Sequence, residues 1–437
     1  MKKIHFVGIG GIGMSALAQL LSEQGTEVSG SDRDASPVTE LLESKGIRVI
    51  IGQRAENVPA DADLLVYSDA VPVENPERVY AKEKGIQQLS YFAMLGEVSK
   101  GLRTVAVAGT HGKTTTTGML AKILQDSGAS PAAIIGSIVK DFGSNFVHGN
   151  SDLFVVEACE YRDHLLELSP TVLVITNIEW EHTDWFSSLE AVQETFRKAI
   201  ERVPVDGVIV TDITNPTIAP LLSGVKASIS DYTKEPEYVL RMHGEFNEQN
   251  ARAAAAAARA ILPSISDSVI AESLAAFQGT WRRFEYKGET VNGAVVYDDY
   301  AHHPTAIKET LKALRAQVKG PPSLGASAER AKIFVAFHPH LYSRTRDLLD
   351  DFAVAFGDAD KVLIAPIFAA REKDEGTISN EMLAERIRAT GIDAIALNSF
   401  NAIAQSLGEA RRGDIIMTMG AGDIYKVSDK LVSRTDK

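Results

Sequence analysis

A single cysteine, Cys159, stands among the 437 residues, so no intramolecular disulfide forms, which fits a reducing compartment. No apolar run approaches the roughly 20 residues a membrane helix needs, and the expectation is a soluble, cytoplasmic protein with no membrane partner. The basic, apolar opening is not expected to act as a secretory signal, because Gly8, Gly10, Gly11 and Gly13 interrupt it and Glu23 follows soon after. An excess of positive charge is also lacking. Lys and Arg number 45 against 58 Asp and Glu, a formal charge of −13, which argues against nucleic acid as a partner. Any phosphate must therefore be held by local donors. Repeats of fixed period and low-complexity tracts are absent, which excludes a solenoid.

What the chain has is length and alternation. It exceeds the roughly 250 to 300 residues at which single cores split, so two or three domains are expected. Three segments each open on a strand-like run, Ile4 to Ile9, Thr104 to Ala108 and Ala294 to Tyr297, and continue with alternating strand and helix patterns. That pattern indicates an α/β protein with parallel sheets. Domains are expected over 1–101, 102–284 and 285–437. In the third, strands are expected at Lys332 to Phe337, Lys361 to Pro366 and Asp414 to Met419. An alanine-rich helix is expected from Asn247 to Ile261, stopped by Pro263, and the stretch from Gly320 to Ser327 reads as an exposed connection.

Gly109-Thr110-His111-Gly112-Lys113-Thr114-Thr115 leaves the strand-like run ending at Ala108 and enters a helical pattern. Such a turn aims backbone N–H groups at an anion, with Lys113 to reach terminal phosphates and Thr114 to ligate Mg²⁺. The glycine spacing is two residues shorter than the common phosphate-loop pattern.

This shorter form resembles that of the Mur ligases and folylpolyglutamate synthetases. The resemblance extends in order through Glu157 with Glu-Ala-Cys-Glu-Tyr-Arg, the run from Thr176 through His182 to Asp184, Gly244 to Asn250, Arg282-Arg283-Phe284-Glu285, Asp298 to Pro304, His338 through Arg344 to Thr345 and Gly420 to Ile424. The Mur ligase family implies a three-domain architecture: a Rossmann-like N-terminal domain for a UDP substrate, a central P-loop ATPase domain, and a Rossmann-like C-terminal domain for an amino acid. It also implies ATP and Mg²⁺. Gly109, Thr110, Gly112, Lys113, Thr114, Thr115, Asn250, Arg283 and Asp299 are expected at ATP, with Thr114, Glu157 and His182 on the metal.

Gly8-Ile-Gly10-Gly11-Ile12-Gly13 follows the first strand, with Asp32 about twenty residues on, which formally fits NAD as well as any other diphosphate-linked nucleotide. An NAD-dependent oxidoreductase would leave the Gly109 cradle unexplained, and no hydride-transfer constellation is evident. The resemblance instead implies UDP-N-acetylmuramate at Gly10, Gly11, Ile12, Gly13, Asp32 and Ser68. Folylpolyglutamate synthetases lack this domain. Two branches stay open: one adding L-alanine, which the Glu-Ala-Cys-Glu-Tyr-Arg version favours, and a recycling branch adding a murein tripeptide.

The reaction so implied is amide formation through an acyl phosphate, with Lys113, Glu157, His182 and His302 as the catalytic set. Positioning and charge neutralisation dominate such phosphoryl transfer. Tyr300, His302, His340 and Arg344 are the candidates for the amino acid, Arg344 for its carboxylate. No feature of the sequence sets an oligomeric state.

Overall fold

The computed structural model describes residues 3–318 and 331–432, so the connection expected from Gly320 to Ser327 lies outside the described residues. Eighteen strands form three sheets among them. The first holds β1 (Lys3–Val7), β2 (Glu27–Asp32), β3 (Arg48–Ile51), β4 (Leu64–Tyr67) and β5 (Gln87–Ser90), in the order β3-β2-β1-β4-β5. The second holds β6 (Arg103–Ala108), β7 (Ala132–Val139), β8 (Ser144–Val147), β9 (Leu153–Glu157), β10 (Val172–Ile175), β11 (Val208–Thr211) and β12 (Ser228–Asp231), in the order β12-β11-β10-β6-β9-β7-β8. The third holds β13 (Glu285–Glu289), β14 (Val295–Asp299), β15 (Ile333–Phe337), β16 (Lys361–Ile364), β17 (Asp393–Ala396) and β18 (Ile415–Met419), in the order β13-β14-β18-β15-β16-β17. Only β8 and β13 pair antiparallel.

The central strands are mostly apolar because helices cover both faces of a parallel sheet. β10, β15 and β18 are buried at every position. β1 stops before the expected Ile9 because Gly8 turns at φ +83° and the N–H groups of Gly8 and Ile9 both donate to Ser31 O. The alanine-rich helix spans Glu245–Ile261, and Ala253 through Ala258 are all buried. Side chains this small let neighbours approach on every side.

The described residues divide into two compact units. One comprises Met1–Glu179, Glu190–Arg241 and Gln249–Gln278; the other comprises Trp180–Leu189, Met242–Glu248 and Gly279–Lys437. Inside the first, the first two sheets are fastened together. Asn145 Nδ2 donates to Ile12 O at 2.5 Å, and the Phe92 ring stacks on His164 with centroids 3.7 Å apart. No helix among the described residues is long and apolar enough to cross a membrane.

Candidate active site

In the first unit the strand order places three chain segments side by side, because β6 lies between β10 and β9. Crevices at the carboxyl ends of such strands are where α/β sheets bind ligands. The loop from Gly109 leaves β6 and opens the helix Lys113–Asp126, Glu157 closes β9, and Thr176 and Asn177 follow β10. The last two anchor the loop. Thr110 N donates to Asn177 O at 3.1 Å, His111 N to Asn177 Oδ1 at 2.8 Å, and Thr176 Oγ1 to His111 O at 2.6 Å.

Gly112 caps the helix in the left-handed region, φ +82°, and a β-carbon there would lie 2.2 Å from Asn250 Oδ1. Asn250 also accepts Thr116 Oγ1 at 3.2 Å, so this asparagine is buried against the loop rather than standing loose on its own helix. Gly112→Ala is expected to cost about 1–3 kcal/mol from backbone strain, plus a collision. Gly128, at φ +80° with open space around it, carries the strain alone. Denaturant unfolding should show Gly112→Ala losing more than Gly128→Ala; equal losses would mean the contact with Asn250 is soft.

Lys113 Nζ folds back to Gly109 O, to Thr110 O at 3.2 Å and to Glu160 Oε2 at 3.1 Å. Burial works to lower its pKa, but the carboxylate of Glu160 prevails and the ammonium is held above its ordinary value. Thr114 Oγ1 donates to Glu157 Oε2 at 3.2 Å. Two oxygens in adjacent corners of a magnesium octahedron, each about 2.1 Å from the ion, stand about 3 Å apart, so this pair fits the ion's geometry and its preference for oxygen.

The first glycine loop occupies the switch point where β1 has β2 on one side and β4 on the other. Asp32 Oδ2 accepts Gly10 N at 2.8 Å, and a β-carbon on Gly10 would press on that carboxylate. Asp32 thus shapes the turn that the sequence pairs it with. Gly13 backs onto the Tyr91 ring, Gly11 caps the helix Ile12–Glu23, and Ser68 follows β4 beside Gly8.

In the second unit, the ends of β14, β18 and β15 are neighbours, and they bring the amino-acid candidates together. The Tyr300 and His302 rings are 5.3 Å apart by centroid, and His302 and His340 are 6.1 Å apart. Arg344 is buried in the short helix Tyr342–Asp347, with Nη1 3.0 Å from both His340 Nδ1 and His340 O. Its Nε donates to Glu181 Oε1 at 2.7 Å. Asp299 uses both oxygens on backbone N–H groups, Ala301 at 2.7 Å and Phe284 at 2.6 Å, and burial raises its pKa to about 6 against the pull of Arg283. The Arg283 guanidinium lies over the Tyr300 ring, 4.9 Å from its centroid. His182, in this same unit, adopts φ +54°.

Tautomers follow from these partners. His302 Nδ1 faces Tyr300 O at 2.9 Å, and a carbonyl only accepts, so Nδ1 carries the proton and Nε2 the lone pair. At His340 the guanidinium only donates, so Nδ1 accepts and Nε2 carries the proton. Burial, then the charge of Arg344, holds His302 well below the ordinary histidine value and His340 down at about 3. A histidine neutral in the fold binds fewer protons than in the unfolded chain, so its contribution is complete above about pH 6.5 and is lost as pH falls toward 3. The melting temperature should therefore drop more between pH 7 and pH 5 in the wild type than in His340→Gln; parallel curves would contradict the assignment.

Sequence reasoning missed Glu160, Asn177 and Glu181. Glu160 and Glu181 lie inside motifs already singled out, and both are buried, which a charged residue in the linear chain does not announce.

Three family models match the chain: "Mur ligase family, catalytic domain" over residues 3–103, "Mur ligase middle domain" over 107–242 and "Mur ligase, glutamate ligase domain" over 282–422. The chain is 41% identical to a UDP-N-acetylmuramate–L-alanine ligase from Acetivibrio thermocellus, covering 98% of this chain and 95% of that protein. It is similar to the solved UDP-N-acetylmuramate–alanine ligase of Thermotoga maritima, with TM-score 0.78, 26% identity and coverage of 99% and 98%. It is also similar to a murein peptide ligase from Psychrobacter arcticus, with TM-score 0.71, 25% identity and coverage of 99% and 98%.

Proposed function

The chain belongs to the Mur ligase family, and from that premise we propose that it is the ATP-dependent ligase joining L-alanine to UDP-N-acetylmuramate in peptidoglycan precursor synthesis. The observation that carries this reading is full-length similarity to alanine-adding relatives combined with an intact cradle, in which Lys113, Thr114 and Glu157 meet at the ends of β6 and β9. The domain boundaries at residues 101 and 284, the individual site roles and a cytoplasmic location belong to the same proposal.

The muramyl carboxylate attacks the γ-phosphorus of ATP, the bond to the ADP oxygen breaks, and an acyl phosphate forms. Lys113 offsets charge on the phosphates together with the N–H groups at the helix start, those of Thr110 and His111 being held by Asn177. Thr114 and Glu157, with His182, would hold Mg²⁺, which supplies further charge neutralisation there. The alanine amine then adds to the acyl carbon, phosphate departs with one former carboxylate oxygen, and the amine's proton goes to a base. His302 Nε2 suits that task, being neutral and free of any hydrogen bond among the described residues, whereas the Nε2 of His340 is a donor. Gly10, Gly11, Ile12, Gly13, Asp32 and Ser68 form the proposed UDP site, Asn250, Arg283 and Asp299 join the loop in holding ATP, and Tyr300, His340 and Arg344 receive alanine.

The chemistry is tested with UDP-N-acetylmuramate labelled with ¹⁸O in its carboxylate. One ¹⁸O per turnover should appear in the released phosphate. Unlabelled phosphate would refute the acyl phosphate.

A further inference from the structure

Glu181 has no role in the scheme above, yet it is a buried carboxylate at the meeting of two functional groups, 4% exposed. Its Oε1 accepts Arg344 Nε at 2.7 Å and also the backbone N–H of His182 at 2.8 Å. His182 is in the left-handed region, φ +54°, which a residue with a β-carbon adopts only when its surroundings insist. Its carbonyl is fixed as well, accepting Trp185 N at 2.8 Å and Phe186 N at 2.9 Å. One carboxylate oxygen therefore secures one side of the His182 peptide pair while orienting the guanidinium. Arg344 is left with Nη2 as its one nitrogen without a hydrogen bond among the described residues.

We propose that Glu181 is a positioning residue that sets the His182 turn and the Arg344 guanidinium together, so that Nη2 faces the incoming amino-acid carboxylate. This rests on the ligase reading, which supplies the roles of His182 and Arg344. The work is done by acceptor geometry: two donors converge on one oxygen of a side chain of fixed length. An amide oxygen in the same place serves both donors. A side chain one methylene shorter cannot reach them both.

The test compares Glu181→Ala, Glu181→Gln and Glu181→Asp in the full chain, with steady-state kinetics in L-alanine and in ATP separately. A second readout, independent of turnover, is the ¹H–¹³C resonance of the His182 imidazole, assigned with His182→Gln. Glu181→Ala and Glu181→Asp should raise the alanine KM at least tenfold, leave the ATP KM within about threefold, and move the His182 resonance. Glu181→Gln should return the alanine KM to within threefold of wild type with the resonance in place. Should the alanine variant fail to fold, the aspartate variant carries the comparison. Equal losses in the glutamine and aspartate variants would mean that more than position matters and would overturn the proposal; so would a wild-type alanine KM, or an unmoved His182 resonance, in the shortened variants. A wild-type chain that shows no turnover with L-alanine overturns the ligase reading itself, before any variant is compared.

Discussion

Lys113→Ala should lower ADP release on the order of a hundred- to a thousandfold, the usual consequence of removing one preorganised group from developing charge. The lysine opens the helix at the mouth of the phosphate loop, and its ammonium is held by the loop's own carbonyls and Glu160. Stability has to be separated from catalysis here. Glu160 is 1% exposed, and stripping a buried carboxylate of its partner costs about 3–5 kcal/mol. The melting temperature of Lys113→Ala should therefore fall. In Lys113→Met with Glu160→Gln both charges are gone, so the melting temperature should recover while ADP release does not. Turnover near wild type in a folded variant would remove Lys113 from the phosphates.

Arg344→Ala should raise the alanine KM by about ten- to more than a hundredfold, the worth of a charge-assisted hydrogen bond of roughly 1.5–3 kcal/mol. The ATP KM should change little, because the proposed scheme gives the guanidinium no part in making the acyl phosphate. Nε is spent on Glu181 and Nη1 on His340, which leaves Nη2 for the proposed contact with the carboxylate. Lysine should still rescue only in part, since a point charge cannot hold Glu181 and a substrate at once. An alanine KM at its wild-type value, with a raised KM for ATP or UDP-N-acetylmuramate, would place Arg344 in another subsite.

The fold was legible wherever a strand is buried on both faces. The apolar runs at Thr104 to Ala108 and Asp414 to Met419 lie almost wholly within β6 and β18, because a central parallel strand has no solvent face to encode. Strand ends were less legible. Asp414 and Pro366 are outside the strands, since an end is fixed by where the partner stops pairing.

At the site, the candidate residues could be named from the sequence because motif order survives in the linear chain. Their mutual orientation could not. Nothing near Asn250 in sequence announces that it packs on Gly112, 138 positions away; β6 and the helix Glu245–Ile261 have to fold first. The same holds for Arg344 and Glu181, separated by 163 positions. Glu181 reads as a charge beside His182 until the arginine arrives, and only the pair explains why a carboxylate is buried there.

The central claim is that this chain adds L-alanine, where the similar recycling enzymes add a peptide. One reaction decides it: ATP, Mg²⁺ and UDP-N-acetylmuramate with equimolar L-alanine and L-alanyl-γ-D-glutamyl-meso-diaminopimelate, the nucleotide products being weighed by mass spectrometry. The mass of UDP-N-acetylmuramate plus one alanine less water is expected to dominate, in step with ADP. A dominant tripeptide adduct, or ADP release without any amide product, would contradict the account.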